Sequence, residues 1–164
     1  MIRAATPADA AAIAAIYAPE VLRGTATFET EAPDLAAMAA RIARVVAADW
    51  PWLVATHGGG IVGYAYAMQF RDRPAYARTC ENTIYVAADQ HRTGVGRALL
   101  TALCSAAHGA GFDQMIAVIG DGVANVGSIG LHAACGFREA GRLVDVGLKF
   151  GRRLDVVYMQ RSLG

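Results

Sequence analysis

The chain has almost no excess of either charge, a single lysine, few cysteines, and no apolar run long enough to cross a bilayer. Each shortage excludes something. Fifteen basic side chains against fourteen acidic ones argue against nucleic acid as the main partner, because such binders carry a clear basic excess. A membrane-spanning helix needs ~20 consecutive apolar residues, and none of the apolar runs approaches that, so no membrane partner is expected. The first residues lack a charged segment followed by a long apolar one, so no secretory signal is read and a cytoplasmic protein is the expectation. Three cysteines, Cys80, Cys104 and Cys135, match neither a zinc site nor a redox pair. They read as buried, inert thiols, and no metal is expected.

What is there is mostly alanine and arginine. Alanine supports helices, and the length of 164 residues suits one domain over 1–164. Lys149 apart, every basic residue is Arg, a side chain that makes planar, bidentate contacts to carboxylates and phosphates. Patterning gives a first strand at 2–4, then Thr6-Pro7-Ala8-Asp9 as the capped start of a helix running through Tyr17. Asp34 caps a second helix with Leu35, Met38, Ile42, Val45 and Val46 along one side. Residues 52–56 and 61–70 read as strands joined by Gly58-Gly59-Gly60. A strand at 79–86, a helix to about His108, a strand at 114–119, a helix at 125–135 and two strands at 137–146 and 154–161 complete the chain. Hairpins mixed with helical crossovers indicate an α/β or α+β fold.

The stretch His91-Arg92-Thr93-Gly94-Val95-Gly96-Arg97 follows a strand and opens a helix. Glycines let backbone amides approach a ligand, and the unpaired first-turn N–H groups favour an anion. Arg92 and Arg97 add charge-assisted donors, so a phosphate or pyrophosphate is the natural ligand. The Rossmann fingerprint is excluded because position 99 is Leu, and a P-loop because no Lys follows the last Gly.

These residues resemble the GCN5-related N-acetyltransferase (GNAT) superfamily, whose acetyl-CoA motif is Gln/Arg-x-x-Gly-x-Gly/Ala after the fourth strand. Here His91 stands at the first motif position. The segment from Asn125 to Phe137, with its terminal Gly136-Phe137, is similar to the family's second block. Thr27-Phe28-Glu29, Trp52-Leu53-Val54-Ala55, Arg73-Pro74-Ala75-Tyr76, Leu131-His132 and Gly147-Leu148-Lys149-Phe150-Gly151 resemble the phosphinothricin and methionine sulfoximine acetyltransferase group. The resemblance implies a mixed sheet of six or seven strands flanked by helices, acetyl-CoA as co-substrate and a homodimer. It implies coenzyme contacts from Ile84, Tyr85, Val86, the loop 91–97, Asn125 and Ser128. It also implies an oxyanion donor in the backbone N–H near Val86, where the fourth strand parts from the fifth.

Acyl transfer to an amino acid requires removal of a proton from its amine. Alternation places Glu81, Thr83 and Tyr85 on one strand face. A carboxylate in an apolar sheet is costly unless paired or used. A salt bridge to Arg78 and a solvent-facing position stand beside the role of base, and the resemblance favours the base. His132 stands where the family often has a Tyr general acid. With an ordinary pKa of ~6.5 it suits acid, base or orienting roles alike. For the acceptor, Phe28, Arg71, Arg73, Pro74, Ala75, Tyr76 and Lys149 are the substrate candidates. The implied reaction acetylates the α-amine of a small amino acid or analogue. A protein N-terminus or a polyamine is the alternative acceptor, the latter disfavoured by the Arg-rich loop, and a non-catalytic acyl-CoA sensor is a third reading.

Overall fold

Residues 1–164 are described by a computed structural model. Strand β1 (Ile2–Ala4) leads into a single tight turn, Pro7–Asp9, and helix α1 (Ala10–Leu22). Asp9 is the hub of this entry: it accepts from the Thr6 N–H at 2.8 Å and forks onto Arg3 at 2.7 and 2.8 Å. The helix outruns the expected end at Tyr17 and passes through Pro19. A proline inside a helix costs ~3 kcal/mol, and the burial of Val21 against the sheet opposes that cost.

Asp34 caps α2 (Leu35–Ala47) as expected, accepting from the Ala37 N–H at 2.7 Å. Its buried stripe is Met38, Ile42 and Val45; Leu35 and Val46 face solvent. Strands β2 (Trp52–His57) and β3 (Gly60–Gln69) form the hairpin, and β4 (Thr79–Val86), α3 (Val95–Gly109) and β5 (Gln114–Gly120) form a crossover. Helix α4 (Val126–Ala134) precedes β6 (Arg138–Lys149) and β7 (Arg152–Ser162). These last strands are longer than the expected 137–146 and 154–161. They close through Phe150-Gly151, both at positive φ (52° and 71°), a hairpin turn that lacks the usual Asn-Gly signature.

The seven strands form one sheet in the order β1-β2-β3-β4-β5-β7-β6. Every neighbouring pair is antiparallel except β4 and β5. Successive strand residues point to opposite faces, which divides the core. Val54 and Tyr64 pack with α1 and α2, whereas Ala55 and Ala65 pack with α3. No helix is long and apolar enough to cross a membrane.

Candidate active site

The central feature is a parting of strands. Pairing between β4 and β5 runs from Thr79↔Gln114 to Asn82↔Ala117 and stops, although β4 continues to Val86 and β5 to Gly120. Each strand stays paired on its other side, β4 with β3 as far as Val86 and β5 with β7 as far as Gly120. The Ala87 N–H bonds to the Val62 carbonyl at 2.9 Å, so the odd-numbered residues of this stretch address β3. By alternation the backbone groups of Ile84 and Val86 turn toward the gap. The expected oxyanion donor therefore has a structural basis, an N–H without a ladder partner.

Beyond β4 the loop bends back with Arg92 and Gly94 at φ 62° and 91°. Gly94 is the N-cap of α3, and its carbonyl accepts the Ala98 N–H at 3.0 Å. The amides of the first turn stay free, as at any helix N-terminus. Thr93 Oγ1 donates to the Gln90 carbonyl at 2.7 Å and braces the loop. A side chain at Gly96 would press on Leu131 at 3.3 Å, so glycine allows α3 to lie against α4. Arg92 and Arg97 line the cavity with no carboxylate partner within 4.0 Å. Thr93 and Val95 are not among the residues that line it. His91 stitches the loop to the strand: its Nε2–H donates to the Val86 carbonyl at 3.0 Å. The donor set of free amides, two unpaired guanidiniums and a left-handed glycine fits a pyrophosphate.

A cavity of about 1070 Å³ extends from this loop through the gap to the α1/α2 face of the sheet. There its walls are aromatic: Tyr17, Phe28, Trp52, Tyr64, Tyr66 and Tyr85. Trp52 stacks on Tyr66 with centroids 4.1 Å apart, and Tyr17 meets Tyr85 edge-on at 4.9 Å. Burial pushes the Tyr17 hydroxyl up to about 12. Phe28 is held by shape, because any side chain at Gly147 would collide with its ring and one at Gly120 would crowd it. Arg41 forks onto Glu29 at 2.8 and 2.9 Å beside this chamber.

Glu81 points into the chamber, as alternation predicted. Arg78 pairs with Asp113, which removes the salt-bridge explanation for Glu81. The Glu81 carboxylate has no ion-pair partner within 4.0 Å, and burial raises its pKa while nearby Arg71 lowers it. A raised carboxyl beside a pocket is suited to exchanging protons.

His132 lies on the opposite face of β4 and is only 2% exposed. Its Nδ1–H donates to the Ser128 carbonyl at 2.8 Å, Nε2 faces Asn82 Oδ1 at 3.1 Å, and burial lowers its pKa. Asn125 donates from Nδ2 to the Gly120 carbonyl at 3.3 Å, tying α4 to the end of β5. Asn82, Asn125, Ser128 and His132 all line the cavity.

Some expected substrate residues are elsewhere. Arg73, Pro74, Ala75 and Tyr76 sit in an exposed loop outside the cavity lining, where Tyr76 packs edge-on against Phe70 at 5.6 Å. Arg71 also lies outside the lining, over the Phe70 ring at 4.8 Å, but it is near enough to act on Glu81. Lys149 is corrected outright. It is 3% exposed, and its Nζ donates to the Thr27 carbonyl at 2.8 Å, so it anchors the loop that carries Phe28. Sequence reading missed Asn82 and the Arg41–Glu29 pair. A polar residue on the strand face otherwise formed by Cys80, Ile84 and Val86 was the available signal for Asn82.

The comparisons with known proteins agree with this geometry. Residues 2–158 match the family described as the acetyltransferase (GNAT) domain. The chain is 49% identical over 162 residues to a phosphinothricin N-acetyltransferase of Alcaligenes faecalis, covering 99% of this chain and 82% of the relative. It is 39% identical to an L-methionine sulfoximine/L-methionine sulfone acetyltransferase of Pseudomonas aeruginosa, covering 99% and 94%. A crystal structure of a phosphinothricin acetyltransferase from Sinorhizobium meliloti in complex with acetyl-CoA superposes with a TM-score of 0.95 at 42% identity, covering 100% and 88%. The match runs along nearly the whole chain, which belongs to the GNAT acetyltransferase family.

Proposed function

We propose that the protein moves an acetyl group from acetyl-CoA to the α-amine of a small amino acid or analogue, of the phosphinothricin, methionine sulfoximine or methionine sulfone type. The observation that carries this reading is Glu81, an unpaired carboxylate of raised pKa where the parted strands open onto an aromatic chamber. The residues 91–97 hold the pyrophosphate through amides, Arg92 and Arg97, and Asn125 and Ser128 flank the pantetheine arm along α4. An amino acid arrives as an ammonium, and Glu81 takes a proton from it to free the nitrogen lone pair. The nitrogen then bonds to the thioester carbonyl carbon while the carbon–sulfur bond breaks. The Val86 N–H donates to the carbonyl oxygen as charge grows there. A second proton leaves nitrogen and one returns to sulfur, so one proton in all goes to solvent. The route calls on no metal. Arg71, beside Glu81, receives the acceptor's carboxylate.

The chain works as one domain and pairs with a second copy through the edge strand β6. Leu143, Val144, Val146, Leu148 and Phe150 are exposed there, and such a row calls for cover. Free, buried Cys80, Cys104 and Cys135 suit a reducing cytoplasm. The near-balanced charge supports a small-molecule acceptor over nucleic acid.

The test is purified protein with acetyl-CoA and a panel of phosphinothricin, methionine sulfoximine, methionine sulfone, peptides and polyamines, with free thiol measured. Turnover on the amino-acid analogues is expected. Acetylation of peptides or polyamines alone overturns the acceptor, and coenzyme binding without any turnover makes the protein a sensor.

A further inference from the structure

His132 has a hydrogen-bonding conflict whose resolution involves Asn82. Nδ1 has two partners, the Ser128 hydroxyl at 3.4 Å and the Ser128 carbonyl at 2.8 Å; the carbonyl only accepts and is much the closer, so it places a proton on Nδ1. In the neutral ring Nε2 is then the lone-pair atom. It faces Asn82 Oδ1 at 3.1 Å, while Asn82 Nδ2 donates to the Ile116 carbonyl at 3.3 Å. Two acceptors facing each other repel, so this amide orientation suits the imidazolium. In the neutral ring the amide turned over, with Nδ2 donating to Nε2, relieves that repulsion and gives up the longer 3.3 Å bond to the Ile116 carbonyl. The two ends of an amide are nearly equal in shape, so both orientations fit the same packed space.

We propose that Asn82 is the positioning residue of His132: with the Ser128 carbonyl it holds the ring as the Nδ1–H tautomer, confines proton exchange to Nε2, and turns its amide when that proton arrives. In its resting state the ring has no proton on Nε2 to give, so His132 enters the reaction as an acceptor. Resting on the proposed acetyl transfer, Nε2 takes the second proton as the N–H bond breaks, and returns it to sulfur after the carbon–sulfur bond has broken.

The surroundings leave this assignment to Asn82. The ionisable groups on adjoining elements are Cys80, Glu81 and Tyr85 of β4, Arg97, Cys104 and His108 of α3, and Cys135 after α4. None of them contributes to the His132 shift, which comes from burial, opposed by the Ser128 carbonyl. The edge-on ring of Phe137, at 5.0 Å, packs against the imidazole without a polar group.

Nuclear magnetic resonance of histidine-labelled protein reads the tautomer directly. The wild type should show the Nδ1–H form at neutral pH. Asn82→Asp puts a fixed acceptor opposite Nε2, and a neighbouring opposite charge raises a pKa by about 1–3 units. The imidazolium should therefore persist to pH at least about one unit higher, and the acid limb of kcat/KM should rise with it. Asn82→Ser, smaller and neutral, covers the event that the Asp variant does not fold; it should release the ring to mixed tautomers. An Nε2–H tautomer in the wild type, or a His132 titration that ignores both substitutions, overturns the proposal. Absence of turnover on every acceptor, with the tautomer as stated, overturns the proposed function instead.

Discussion

The two faces of β4 differ more than any other two regions of the molecule. On one, Glu81 stands unpaired in an open chamber of aromatic rings. On the other, starting from the next residue in sequence, Asn82 and His132 are buried at the cavity wall and hydrogen-bonded to each other. Burial raises the acid and lowers the base, so it draws the two groups toward neutrality and toward each other in proton affinity. The difference lies in access. Glu81 meets solvent and substrate, whereas His132 exchanges protons only through what Asn82 allows.

The sharpest way to break this comparison is Glu81→Gln. Loss of a general base lowers turnover by roughly 10²–10⁴-fold, and acetyl-CoA affinity, measured by calorimetry, should stay as it was. Unchanged turnover would remove the asymmetry. Next in size is Lys149→Met, which leaves the Thr27 carbonyl without its donor. An orphaned buried acceptor costs about 1–3 kcal/mol, to be read as a lower thermal midpoint, with a raised acceptor KM as the Phe28 loop loosens.

A smaller effect concerns pH. Because the folded His132 pKa is below that of the unfolded chain, the unfolded state binds more protons as pH falls below ~6.5. Stability should decline from that point until the folded pKa is reached. His132→Gln should flatten that decline in denaturant titrations between pH 7 and 5. The smallest shift in pH dependence is expected from Arg71→Ala, beside the rise in acceptor KM that follows from losing the partner of the acceptor's carboxylate. Arg71 lowers the Glu81 pKa, so its removal should move the acid limb of kcat/KM upward, by a few tenths of a pH unit for an exposed cation.

Much of this was legible in the sequence because it is local. Strand 79–86 and the Asp34 cap depend on alternation and on contacts three residues apart, and both stand where expected. The loop proposed for the pyrophosphate is legible for the same reason: Gly94 and the helix start are neighbours in the chain. Glu81 is readable from period two. Asn82 is not, because its partner lies 50 residues on. Lys149 misleads for a related reason. Its amine is buried among carbonyls of a loop 122 residues earlier, a position that charge alone does not suggest. The expected helix end at Tyr17 falls short, because the packing of Val21 carries α1 on through Pro19.

That buried lysine has a chemical consequence. Thioesters acylate accessible amines without any enzyme, and a protein that handles them is exposed to its own reagent. Here the one ε-amine in the sequence is shut inside the fold, and every other basic side chain counted in the net charge is a guanidinium. Guanidiniums stay protonated and do not attack thioesters at neutral pH. The surface is accordingly free of lysine targets for the acetyl groups that the cavity transfers.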